Sequence, residues 1–233
     1  MAAKFPVALG ALCLWGCVVT QDAKGPTQYE SRAVDRDASE RVRVKLDMGA
    51  GDLKVSSGTQ KLLQAYFTYN VPELKPEIHY SAAGGIGDLH VVQPSHGPRI
   101  GNMKYEWDLR ISDLVPLEMH VNFGAGKAQL DLGSLDLRSV QLDMGVGQLE
   151  MDLRGNPKHD YNVKVSGGVG EATIRLPSNI GIEARASGGI GDISARGLRK
   201  EGGRWVNDAY SEPGVKIHVD VEGGIGSIRL IAE

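Results

Sequence analysis

The sequence feature that most constrains the fold is a tripeptide of glycine, a small aliphatic residue and glycine, which occurs seven times. Successive copies are 36, 39, 21, 23, 21 and 35 residues apart. A unit of about 21 residues is therefore reused, with three longer insertions, as in repeat architectures. The glycines of the seven copies are Gly49 and Gly51, Gly85 and Gly87, Gly124 and Gly126, Gly145 and Gly147, Gly168 and Gly170, Gly189 and Gly191, and Gly224 and Gly226.

Apolar and polar residues alternate on both sides of each tripeptide, which predicts half-buried β-strands. In the first copy the alternation runs through residues 42–48 to Ala50, but the next apolar residue, Leu53, lies at an odd offset. One residue has been inserted into the in-out pattern. We expect the second glycine to form a corner there, because glycine adopts positive φ without a side-chain cost. The middle residue is then predicted to point into the core.

Each unit therefore consists of a strand, a glycine corner, a second strand and a turn, with one apolar face that it cannot bury alone. This pattern predicts an all-β, β-solenoid-like stack of short strands, built from about seven strand-GxG-strand units. The C-terminal strand, residues 228–230, has no evident cap, so it is a candidate self-association edge.

The three insertions cover residues 56–77, 92–116 and 196–214. The last insertion is basic and contains Trp205. We interpret it as a hairpin that packs an aromatic side chain on the stack; the alternative is an interaction loop formed by Arg204, Trp205 and Tyr210.

The N-terminus has the features of an export signal. Lys4 precedes an apolar stretch, residues 5–16, that is too short to span a bilayer and typical of a secretory signal peptide. Residues 14–17 resemble a bacterial lipobox, which predicts a lipoprotein signal peptide over 1–16 and lipidation of Cys17. An ordinary cleaved signal peptide and a retained anchor are the alternatives.

Residues 17–40 combine charges and turn formers without periodicity, so they are predicted to form a flexible tether. The repeats follow as an N-terminal part, 41–116, which continues into a C-terminal part, 117–233. On the lipoprotein interpretation, the membrane is reached through the N-terminal lipid.

Composition and motifs exclude several classes of function. Lys and Arg total 26 against 29 acidic residues, and a net charge of −3 gives no reason to expect a nucleic-acid partner. The glycine motif leads into a strand, whereas phosphate-binding loops lead into a helix. The six histidines have no zinc-ligand spacing, and no nucleophile motif is present. We therefore predict no cofactor, no metal site and no catalytic residues.

Two alternatives remain at this stage. Closely spaced glycines and acidic residues can form calcium ladders, with Asp52, Asp88, Glu171 and Asp192 as candidate ligands in a calcium-dependent adhesin. Two carboxylates could also meet across layers, as in carbohydrate-active β-solenoid enzymes.

The segments 46–55, 62–76, 105–109, 115–117 and 123–126 resemble the bacterial toast-rack proteins. That family is similar to the C-terminal domain of LiaF-type cell-envelope stress proteins and to adhesin repeat domains. The resemblance extends over residues 41–233. It implies a stacked β-strand fold on an exported or membrane-anchored protein, and it implies no catalytic residues.

Together these observations predict a non-enzymatic cell-envelope lipoprotein. It would be exported and lipid-anchored on the periplasmic side or in the outer membrane of a bacterium. Its rigid scaffold would contact an envelope protein or polymer in stress sensing or adhesion, because repeat surfaces suit extended ligands.

Overall fold

The structure is a computed structural model that describes residues 25–94 and 103–233. The predicted signal peptide, 1–16, and the predicted lipidation site, Cys17, lie outside the described residues. None of the helices in the described ranges has the length and apolar character needed to cross a membrane.

The described residues form thirteen strands and two short 3-10 helices, Pro72–Leu74 and Asp208–Ser211. The strands are β1 (Gln28–Val34), β2 (Arg41–Ser57), β3 (Leu63–Tyr69), β4 (Glu77–Ala83), β5 (Ile86–Val92), β6 (Tyr105–Ile111), β7 (Leu117–Asp131), β8 (Leu137–Asp152), β9 (Tyr161–Leu176), β10 (Gly181–Arg196), β11 (Arg199–Glu201), β12 (Arg204–Val206) and β13 (Lys216–Ala232). They belong to one sheet. The predicted all-β, stacked architecture is confirmed.

Six long strands form the stack, in the spatial order β2, β7, β8, β9, β13, β10. Neighbours run parallel, and their glycine motifs lie in register. Each strand is one layer. The last two layers do not follow the chain, because β13 lies between β9 and β10. The prediction of a self-association edge at residues 228–230 is therefore wrong, since a strand pairs with that segment on each side.

Both glycines of the motif are needed because the backbones of adjacent layers approach closely. The second glycine has positive φ in all six layers, for example 144° at Gly147. A Cβ at Gly147 would lie 1.9 Å from the carbonyl oxygen of Gly126 in the next layer. A Cβ at Gly145, where φ is not positive, would lie 2.4 Å from the carbonyl oxygen of Gly124. Close approach and backbone conformation together therefore select glycine.

The middle residue of the motif faces solvent, so the prediction that it points into the core is wrong. Val146, Val169, Ile225 and Ile190 are 53%, 44%, 52% and 71% exposed. The buried side chains that flank the motif, such as Leu142 and Leu149, lie on the inside of the corner. Since a side chain at either glycine would project along the stack, the middle side chain is left on the outside of the corner. These four residues form an exposed aliphatic row.

One of the seven glycine motifs, residues 85–87, does not form a corner. Gly84 and Gly85 have φ values of 59° and 76° and make the turn between the antiparallel strands β4 and β5. Two successive residues with positive φ are typical of a two-residue hairpin turn. Gly87 lies within β5 without positive φ. The corner predicted at Gly85 and Gly87 is therefore a hairpin turn, because the chain reverses onto β4 there.

Part of the predicted tether, 17–40, is ordered: β1 pairs antiparallel with β3. Polar side-chain contacts, rather than a row of apolar side chains, hold this strand at the edge of the sheet. Glu30 accepts hydrogen bonds from Arg32 at 2.8 Å and from the Tyr69 hydroxyl at 3.2 Å. Hydrophobic periodicity misses such a strand, because its pairing depends on backbone hydrogen bonds and polar contacts.

The first two insertions build the N-terminal end of the stack. They supply β3 and β6, which pair antiparallel beside β2. The buried rings of Phe67 and Trp107 pack edge to face, with centroids 5.6 Å apart. The Tyr105 hydroxyl donates a 2.6 Å hydrogen bond to the carbonyl of Leu74, and burial raises the pKa of Tyr105 above its ordinary range. This aromatic cluster closes the core at that end.

Candidate binding groove

An open groove of about 1280 Å³ crosses five layers of the stack. It is lined by residues 47–50 of β2, 122–124 of β7, 143–145 of β8, 166–167 of β9 and 222–224 of β13, with Leu74, Gln93, Pro94 and Met103 beside them. Five strands spaced about 4.8 Å apart give it a length of roughly 19 Å. Its lining repeats because each layer contributes the residues just before its first glycine.

A row of polar side chains follows the groove, at the position two residues before the first glycine of each layer. We call Asp47, Asn122, Asp143, Ser166 and Glu222 the polar ladder; they are direct register partners in that order. Carboxylates alternate with neutral side chains along it. Within the ladder, adjacent layers therefore place no like charges side by side, and the carboxylates are two layers, or roughly 10 Å, apart.

The first carboxylate of the ladder, Asp47, is held by three donors. Asn122 Nδ2 donates to Oδ1 at 2.5 Å, while His90 Nε2 and Lys45 Nζ lie 2.6 and 2.8 Å from Oδ2. Burial alone would raise the pKa of Asp47, but these hydrogen bonds and the Lys45 charge outweigh it and lower the pKa. Asp47 is therefore ionised and fixed in orientation at neutral pH.

Asp143 repeats this arrangement two layers further along. His120 Nε2 lies 3.0 Å from its Oδ2, and Gln141 donates to the same oxygen at 2.9 Å. Burial again acts to raise the pKa, and the hydrogen bonds from His120 and Gln141 lower it below the ordinary value. The groove thus presents charged acceptors at fixed positions, which suits a ligand that brings hydroxyl or amide donors.

At one end of the groove, the side chain of Gln93 binds the backbone of the β2 corner. Its Oε1 accepts hydrogen bonds from the backbone N–H groups of Gly49 at 2.7 Å and Ala50 at 3.3 Å. A side-chain amide therefore satisfies the corner of the β2 layer, and the groove ends beside it.

The candidate calcium ligands are not brought together. Asp52, Glu171 and Asp192 occupy the same register position but belong to β2, β9 and β10, which are at least two strands apart. Asp88 lies on β5, 3.4 Å from Arg43. Calcium requires six to eight oxygen ligands at about 2.3–2.6 Å. This set does not form such a site.

The predicted interaction loop forms a hairpin, β11 and β12, whose residues contact β10. Tyr210 donates a 2.6 Å hydrogen bond to Glu183 Oε2, and Arg204 lies 3.2 Å from the same oxygen. Trp205 is opposite Ala184 in the strand pairing and is partly buried against the core. These contacts match the interpretation as a packing hairpin. A role of Arg204, Trp205 and Tyr210 in binding a partner stays a prediction.

Sequence reasoning missed the polar ladder, although a signal for it was present. When the copies are aligned on the first glycine, the position two residues earlier is polar in every stacked layer. The period-2 pattern places that position on the solvent face but does not indicate that it lines a groove. The groove that contains it depends on how the layers stack, which one unit does not encode.

The chain has measurable similarity to known proteins. The family model for the N-terminal domain of toast_rack, DUF2154, matches residues 23–175. A putative cell adhesion protein from Clostridium sporogenes is 31% identical in sequence, and its crystal structure aligns with a TM-score of 0.84 over 89% of this chain and 100% of that one. A putative adhesin from Bacteroides fragilis aligns over 88% of this chain and 97% of its own, with 13% identity and a TM-score of 0.30. No curated protein matches the chain.

Proposed function

Because the chain belongs to the toast-rack family, we propose that it is a non-enzymatic, adhesion-like binding protein of the bacterial cell envelope. The similar structure from Clostridium sporogenes, a putative cell adhesion protein, favours adhesion over stress sensing. The groove along the stack is the ligand-contacting surface in this proposal.

The observation that carries the proposal is the polar ladder. Its carboxylates repeat every second layer, so an extended polymer with a regular repeat could meet equivalent acceptors along the groove. Ionised Asp47 and Asp143 already accept hydrogen bonds from the chain itself, but a carboxylate has about four acceptor sites, so each can accept a further bond from a ligand. A glycan chain of the envelope, which presents hydroxyl groups at regular intervals, has this chemistry.

Binding to insoluble envelope polysaccharide in a co-sedimentation assay tests the proposal. We expect Asp143→Asn to weaken binding about tenfold or more, because a hydrogen bond to a charged group contributes about 1.5–3 kcal/mol. Glu150→Gln is the matched control: it removes a carboxylate from the same strand, on the other side of the corner and outside the groove. Equal binding by the Asp143 variant and the wild type would argue against the groove.

The same carboxylates do not favour a carbohydrate-active enzyme. A glycosidase needs one carboxylic acid with a raised pKa to protonate the leaving group, whereas the pKa values of Asp47 and Asp143 are lowered. We therefore expect incubation with envelope polysaccharide to release no new reducing ends. Release that is lost in Asp143→Asn would contradict the non-enzymatic proposal.

We further propose that the protein is exported and attached to the membrane by a lipid on Cys17. The lipobox-like segment 14–17 supports this anchor. Cells grown with a palmitate analogue should label the wild-type chain and not a Cys17→Ala variant. Unchanged labelling of that variant would contradict the anchor and leave the groove proposal standing.

A further inference from the structure

The second half of β10 is an open sheet edge. On one side it pairs with β13 throughout its length. On the other side, β12 pairs only with Glu183 and Ala184 in the first half of the strand. Within the described part of the chain, no strand pairs with residues 192–196 on that side. Their outward-directed N–H and C=O groups are therefore available to another strand.

The core is also incompletely covered at this edge. Ile193 and Ala195 occupy inward positions and are register partners of Ile228 and Leu230 in the adjacent β13. Ile228 and Leu230 are only 6% and 0% exposed. Ile193 and Ala195, in contrast, are only partly buried, because no layer follows them. An added strand would bury apolar surface as well as satisfy backbone groups.

The sequence of this edge is complementary to itself. If two copies of residues 192–196 pair antiparallel about a two-fold axis at Ser194, Asp192 lies opposite Arg196 of the other copy, and Ile193 lies opposite its Ala195. Opposite charges directly across a strand pair are favourable. The side chains of Asp192 and Arg196 are both accessible at the surface. Asp192 is exposed, and the Arg196 side chain is 72% exposed, although one of its nitrogens lies 3.0 Å from Glu233.

Other antiparallel registers do not combine the apolar pairs with the two ion pairs. A shift of one residue places inward side chains opposite outward ones. An axis at Ile193 places Asp192 opposite Ser194, so the ion pairs are lost. We propose that the protein forms a two-fold symmetric dimer by antiparallel pairing of residues 192–196 of β10. The second copy adds a layer over Ile193 and Ala195, and two Asp192–Arg196 ion pairs fix the register.

A closed dimer is expected, since the same patch is used on both copies. The paired segment is short, so the interface is small and the association reversible. The dimer does not depend on the groove proposal, because the polar ladder of the groove, residues 47 to 222, lies on other layers.

Sedimentation velocity of the purified full chain over a concentration series at low salt tests the dimer. The wild type should show a monomer–dimer equilibrium. Asp192→Arg and Arg196→Asp, each alone, should weaken dimerisation about tenfold or more, because each places like charges opposite one another twice. The double variant, which restores opposite charges with reversed sign, should recover most of the association.

Asp113→Arg is the control, since this exposed residue between β6 and β7 is remote from β10 in the sheet order; it should leave association unchanged. Substitution of Arg196 also removes its contact with Glu233. The melting temperature of every variant therefore shows whether the fold itself has been destabilised. Recovery in the double variant separates lost pairing from misfolding. A wild type that is monomeric at every concentration, a dimer insensitive to both single variants, a double variant without recovery, or open-ended polymers would each overturn the proposal.

Discussion

At the scale of single residues, the glycine motif is determined by two separate constraints. The second glycine of each corner needs a φ near 140° that other residues rarely adopt, and in the layers of β7, β8, β9, β13 and β10 both glycines lie against carbonyl oxygens of an adjacent layer. Backbone conformation alone explains only the second glycine of each corner. The sequence shows both glycines, but the contact between layers becomes evident only from the stacked structure.

Two alanine variants separate these constraints. Gly147 and Gly214 have similar φ values, 144° and 139°, but only a Cβ at Gly147 meets a neighbouring backbone atom, at 1.9 Å. We expect Gly214→Ala to lower the free energy of unfolding by about 1–2 kcal/mol from backbone strain. Gly147→Ala should cost about 2 kcal/mol more, because adjacent layers must separate. Urea denaturation measures both, and equal losses would contradict the close approach of the layers.

The exposed aliphatic row gives a second prediction. Val146→Thr should change the free energy of unfolding by less than about 0.5 kcal/mol, because its side chain is 53% exposed. Leu142→Ala, on the same strand, should cost about 2–5 kcal/mol, because Leu142 is fully buried. Chemical denaturation of both variants checks this. A large loss for Val146→Thr would restore the prediction that the middle residue lies in the core.

At the scale of elements, period-2 patterning identified the long strands that run through the glycine corners. It failed for β1, whose contacts are polar, and for the motif at 85–87, where a glycine pair serves a hairpin. The patterns of a corner and a tight turn are alike, because both place glycine between alternating stretches. Only the direction of the following strand distinguishes them, and that depends on the tertiary partner β4.

The hairpin of β11 and β12 provides a pH-dependent prediction. The hydrogen bond from Tyr210 lowers the pKa of Glu183 below its ordinary 4.5; burial opposes this, and Arg204 adds to it. A carboxyl with a lowered pKa stabilises the fold above its unfolded pKa, and this contribution is lost as pH falls through the folded pKa. The stabilisation by Glu183 is therefore complete at pH values well above 4.5, declines below that value, and is lost once the pH has fallen through the lower pKa of the folded state.

The corresponding variant is Glu183→Gln. It should lower the melting temperature at neutral pH, and its difference from the wild type should shrink once the pH is well below the ordinary 4.5 of a glutamate. Glu201→Gln is the control, because Glu201 is exposed and lies 3.6 Å from Arg199. Scanning calorimetry across this range measures the effect. A difference that grows as pH falls would contradict the assignment.

At the scale of the whole molecule, the repeat predicted an all-β stack with one continuous core, and that prediction is confirmed. The groove could not be predicted, because its polar ladder is made of one residue per layer, brought into line only by register. The order of the last layers also escaped sequence reasoning. The copies at 168–170, 189–191 and 224–226 are so similar that either of the last two fits beside β9.

The position of β13 between β9 and β10 sets the order in which the molecule can be completed during synthesis. β7, β8 and β9 can each pair with the layer that precedes them in the chain as soon as they have left the ribosome. β10 emerges before β13, the strand that separates it from β9, so the place between β9 and β10 stays unfilled until β13 has been made. A nascent chain that still lacks β13 therefore leaves two layers, β9 and β10, without a native neighbour.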